Sequence, residues 1–161
     1  MIAASLLLAG CFTSTEPKFP LSSAAPVLGD GGHYVSYERM KDGNFQRDEA
    51  FDVRRRADGA YDLIDAKGST TTASLHSIGS DLYVAQAVST DSRRADYALL
   101  RVRGNEVLSY ALDCRKQDAA ILKALAVEIK GVECVIDKVA DPAHLFATLE
   151  LGDPIAKMVR E

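Results

Sequence analysis

Residues 51–65, FDVRRRADGAYDLID, hold a complete supersecondary unit. Phe51, Val53 and Arg55 alternate with Asp52, Arg54 and Arg56. That period of two places successive side chains on opposite faces of a strand. Asp58-Gly59 then interrupts the alternation, and glycine supplies the positive φ that a tight turn demands. The alternation resumes in AYDLIDA, residues 60–66. The segment predicts a β-hairpin.

The same pattern extends in both directions. HYVSYERM (33–40) precedes a turn at Lys41-Asp42-Gly43-Asn44, and TTTASLHS (70–77) leads through Ile78-Gly79-Ser80 into DLYVAQAVS (81–89). ADYALLRVR (95–103) joins EVLSYALDC (106–114) through Gly104-Asn105. Strands joined by short turns, with no helix between them, predict an antiparallel up-and-down meander of about seven strands. Such a sheet leaves two exposed edges unless it curls, so a small barrel or strongly curved sheet is expected.

Residues 82–88 and 107–112 are apolar on both faces, so a second layer must cover the outside. The C-terminal third supplies it. Asp118 is an N-cap for AAILKALA (119–126), GVECVID (131–137) reads as a short strand, and Asp141-Pro142 starts a helix through AHLFATLEL (143–151). Gly152 ends that helix, and Asp153-Pro154 begins a short tail. The fold class is mainly β, α+β at the C-terminus, with two or three short helices as a cap.

With 161 residues, 47% of them hydrophobic and 26% charged, the chain suits one folded domain. A formal charge of −4 argues against nucleic acid as a partner, because phosphate binding calls for a basic excess. After the N-terminus no apolar run approaches the roughly 20 residues of a membrane-spanning helix.

The N-terminus carries a different message. Ile2 to Ala9 is uncharged and mostly apolar, and it meets Gly10-Cys11. Leu8-Ala9-Gly10-Cys11 resembles the lipobox of bacterial lipoprotein signal peptides. The resemblance implies cleavage before Cys11 and a lipid on its sulfur. No Lys or Arg precedes Lys18, so the usual basic n-region would lie upstream of Met1. Residues 1–10 then read as signal peptide, 11–32 as lipidated cysteine and flexible tether, and 33–161 as the β-rich domain. The tether assignment rests on the Pro, Ser, Thr, Ala and Gly content of FTSTEPKFPLSSAAPVLGDGG (12–32). In such lipoproteins Asp after the cysteine favours the inner membrane. Phe12 stands there, which implies the outer membrane, facing the periplasm. With Cys11 assigned to lipid, Cys114 and Cys134 remain to form a disulfide in that oxidising compartment, two separate buried thiols being the alternative.

No catalytic, cofactor or metal constellation emerges. His33, His76 and His144 are far apart in sequence, and no GxSxG, SxxK, GxGxxG or Walker-type pattern occurs. Two features stand out as candidate ligand contacts. Arg54 and Arg56 share one strand face, as do Arg101 and Arg103, so a cationic stripe would result if the faces coincide; a solvated face paired with nearby carboxylates is the alternative. Gln86 lies in phase with Leu82, Val84 and Val88, where a buried amide requires hydrogen-bond partners. The sequence therefore suggests a non-catalytic, lipid-anchored envelope protein that binds another protein or maintains the envelope. A ligand-binding barrel for a hydrophobic or anionic molecule, or an inhibitor of a cell-wall-degrading enzyme, are the alternatives.

Overall fold

A computed structural model describes residues 11–161. The signal-peptide assignment, residues 1–10, lies outside the described residues. Eight antiparallel strands close into a barrel. They are β2 (Gly31–Arg39), β3 (Phe45–Arg55), β4 (Tyr61–Asp65), β5 (Thr70–Ser77), β6 (Leu82–Val88), β7 (Ala95–Arg103), β8 (Glu106–Tyr110) and β11 (Pro154–Arg160). Pairing of β6 with β7 joins the two halves, and β11 lies between β2 and β8. Closure removes the edges that an open sheet of this size would leave exposed.

The meander is thus a barrel, with one strand more than expected. The additional strand comes from the segment read as a short tail. In PIAKMVR, Ala156 and Met158 face inward and are buried, while Lys157 partners outward. Pro154 occupies the first position, where a missing amide proton is tolerated.

The hairpin at 51–65 forms as expected, pairing Arg55 with Tyr61 and Phe51 with Asp65. Its tip is Arg56–Ala60, closed by the Arg56 amide donating to the Ala60 carbonyl at 2.8 Å, with Gly59 at φ +91°. The tips at Met40–Asn44 and Asp65–Ser69 repeat this construction, each with glycine in the fourth position. Such three-residue loops need a left-handed residue there.

Alternation on the strands separates two apolar layers. Tyr34, Phe51, Val53, Tyr61, Leu63, Leu75, Leu100, Val107 and Met158 pack together inside the barrel with Ala73, Ala85, Ala87 and Ala98. Val84, Ala95, Tyr97, Leu99 and Tyr110 point the opposite way, into a second core outside the wall. β6 and β7 are therefore buried on both faces, as the sequence required of β6, and in β8 Val107 faces the interior while Tyr110 faces the outer core. The cover is a three-stranded annex with α1 (Ala119–Ala124) and α2 (Pro142–Thr148), which contribute Leu122, Leu145 and Phe146. The annex places β1 (Phe12–Ser14) between β7 and β10 (Glu133–Val135), with β9 (Glu128–Lys130) outermost. One edge of β7 is shared: residues 95–97 pair with β1 and 99–103 with β8. Asp118 and Asp141 cap the two helices as read, accepting from the amides of Ala120 and Ile121 and of His144.

The tether requires correction. Residues 12–30 are not a spacer but part of the fold. Phe12 is fully buried, Phe19 and Leu28 are nearly so, and the chain passes from the outer core, where Phe19 packs, to the interior core, where Leu28 packs, before entering β2. Phe19 stacks on His76 at 4.9 Å and packs against Tyr97 and Phe146. The Ala25 amide donates to the Leu75 carbonyl, and Tyr61 holds both Leu28 and Gly29 through its hydroxyl. Composition pointed to disorder, but three well-spaced apolar side chains find seats, and that burial offsets the ordering entropy. Gly31 ends this crossing where a β-carbon would lie 2.0 Å from the Val53 carbonyl oxygen, a space only glycine fits.

Candidate functional site

The first candidate is the cysteine cluster at the start of β1. Phe12 lies opposite Cys134 in a parallel pairing, and the Cys134 amide donates to the Cys11 carbonyl at 2.6 Å. Cys134 is bonded to Cys114, with Cα atoms 5.8 Å apart. The disulfide assignment is therefore correct, and it links the turn after β8 to β10. Cys11 is the one free cysteine among the described residues. Its sulfur is half-buried, donates to the Leu112 carbonyl at 2.5 Å and accepts from the Cys114 amide at 2.8 Å. Burial pushes this thiol above its ordinary range, partly offset by the hydrogen bond from the Cys114 amide.

Gln86 explains itself. It is buried, its Oε1 accepts from the amides of Lys18 and Phe19 at 2.9 and 3.0 Å, and its Nε2 donates to the Phe19 carbonyl at 2.9 Å. The Tyr97 hydroxyl also donates to Oε1. Both ends of the amide are engaged, chiefly by the N-terminal segment, so its task is to bind this chain's own backbone.

The arginines fall into two separate groups. Arg54 lies 3.8 Å from Asp52, and Arg56 contacts Asp58 and Asp62. Arg101 and Arg103 both contact Asp81. Strands β4, β5 and β6 lie between the groups, so no continuous stripe forms. Asp81 is held below the usual carboxylate range by the Arg103 hydrogen bond and by both guanidinium charges.

Two grooves mark the outer surface. The larger, about 1030 Å³, runs between the β2–β3 tip and residues 150–155 and is lined by charges of both signs, including Arg39, Asp42, Asp113 and Glu150. The smaller, about 500 Å³, is bounded by the N-terminal crossing, the β3–β4 tip and the β6–β7 turn. Its walls include Pro17, Phe19, Leu21 and Val88, with Arg56 and Arg93 at the margin. From the sequence, Gln86 and Arg56 stood among the candidate contacts, whereas Arg93 was one of a basic pair beside a strand and was not singled out. Arg93 has φ +59°, a strained setting for a non-glycine residue, and its guanidinium has no ion pair among the described residues.

His76 is buried between the Ser23 and Ser74 hydroxyls at 2.9 and 2.8 Å, and burial lowers its pKa. His33 faces Asp52 on the surface, and the His144 amide is bound by the cap residue of α2. Among the described residues no group of three His, Cys, Asp or Glu side chains is arranged to hold a metal ion. No helix among them is long and apolar enough to cross a membrane. No protein-family model, curated protein or solved structure matches the chain.

Proposed function

We propose that the chain is a non-catalytic, lipid-anchored envelope protein, carrying its lipid on Cys11 and presenting a disulfide-tied barrel as a protein-binding or envelope-maintenance module on the periplasmic face of the outer membrane. The observation that carries this reading is the arithmetic of the thiols. Cys114 and Cys134 are bonded to each other, and the unbonded cysteine is the one at the end of Leu-Ala-Gly-Cys. A thioether at Cys11 keeps the sulfur lone pairs that accept from the Cys114 amide. It loses only the weak donor to Leu112. Metabolic labelling with palmitate, with and without Cys11→Ser, tests the reading. Label in the parent and none in the variant supports it, and equal labelling of both refutes it.

One observation favours a second reading, the binding of an anionic amphiphile. The smaller groove combines an apolar wall with the guanidinium of Arg93, which has no ion pair among the described residues. The barrel interior plays no part in this reading, since large side chains pack it. Titration with a short alkyl carboxylate tests it.

A further inference from the structure

The structure fixes how an anchor on Cys11 would orient the domain. Phe12, the next residue, is fully buried between β7 and β10, so no free chain separates the anchor from the fold. Whatever surface surrounds Cys11 must then lie against the bilayer. In register, Phe12, Cys134 and Ile129 form one row across β1, β10 and β9. With strands about 4.8 Å apart, the outer strand lies roughly 10 Å from the anchor. β10 runs parallel to β1, so Val132, two residues before Cys134, projects past the level of Cys11.

The two most exposed large hydrophobic side chains among the described residues are on this hairpin, Val132 at 61% and Ile129 at 53%. Neighbouring cations are already paired: Lys130 and Lys138 with Glu128, and Arg115 with Asp113. These groups sum to a single positive charge, so contact rests chiefly on apolar insertion to the headgroup boundary rather than on anionic lipid.

We propose that the β9–β10 hairpin, through Ile129 and Val132, is a second membrane contact that seats the lipidated domain directly on the bilayer. This inference rests on the lipid-anchor reading.

The chain contains no tryptophan, which makes a single introduced one a clean reporter. Val132→Trp is placed in the full lipidated protein, with Asn105→Trp in the β7–β8 turn, before the end of β8 remote from Cys114, as the comparison. Both are reconstituted into phosphatidylethanolamine/phosphatidylglycerol vesicles and into phosphatidylcholine vesicles. For Val132→Trp the expected result is blue-shifted emission and loss of roughly half the intensity to brominated acyl chains, as for a residue at the headgroup–acyl boundary. The effect should be equal in both lipids and absent for Asn105→Trp. Ile129→Trp provides an independent reporter on the same hairpin. Palmitate incorporation is measured in every variant. Label with water-exposed emission from both hairpin reporters overturns the second contact and leaves the anchor standing. Absence of label overturns the anchor and this inference together.

Discussion

Gln86 and Phe19 are joined by a reciprocal pair of hydrogen bonds, the Phe19 amide donating to Oε1 at 3.0 Å and Nε2 donating to the Phe19 carbonyl at 2.9 Å. A side chain here reproduces the bonding of one strand residue to another. It thereby fastens the N-terminal crossing to β6 without extending the sheet.

Gln86→Leu roughly keeps the volume and strands the Phe19 amide and carbonyl, while the Lys18 amide keeps its second acceptor, the Tyr97 hydroxyl at 3.1 Å. Buried polar groups left without partners cost about 1–3 kcal/mol each, so a loss of about 3 kcal/mol is expected by urea unfolding, allowing for partial access of water. Hydrogen exchange should accelerate at residues 15–25 before it does in the barrel strands. Uniform acceleration would contradict the clamp.

Replacing both Cys114 and Cys134 by serine opens a loop with a sequence separation of 20. The chain-entropy account gives a loss of about 3 kcal/mol. Because the bridge ties the annex rather than the barrel, protection should fall first in β9, β10 and β1. Thermal unfolding with residue-level exchange measures both.

His76 makes stability depend on pH. Its pKa is lowered in the fold by burial, so the unfolded chain binds a proton more readily. The contribution is fully present above the ordinary imidazole value of about 6.5 and is lost as pH falls from there through the folded value. A stability profile should drop across that window, and His76→Gln should flatten this part of the slope. Retention of the full slope in the variant would assign the titration elsewhere.

For the amphiphile reading, Arg93→Glu should weaken binding of octanoate by about tenfold or more, the worth of a charge-assisted hydrogen bond. Arg54→Glu, on a guanidinium outside the groove's lining, should leave binding unchanged. Equal affinity in parent and Arg93→Glu would remove Arg93 from the reading.

Much of the barrel was legible in local order. The Asp-Gly tips, the alternation on each strand and the acidic caps of both helices act within a few residues, so they can be read without knowing what lies across the fold. The N-terminal crossing was not legible, because its Pro, Ser and Ala content resembles a spacer while its order comes from partners far away. Gln86 lies 67 and 68 positions beyond Phe19 and Lys18. Strand β11 was obscured by Pro154, and its pairing with β2 and β8 joins the last strand of the barrel to the first and to one about 45 residues earlier.

The sequence by itself determined the strand periodicity, the turns, the helix caps and the motif ending at Cys11. Those follow from φ preferences, side-chain alternation and residue chemistry over short spans. Only the tertiary structure decided that the sheet closes and that Cys114 bonds Cys134. It also decided that Phe12 is buried against Phe146. Each depends on a surface assembled from distant segments, where burial of apolar area outweighs the entropy that composition alone would suggest is left free.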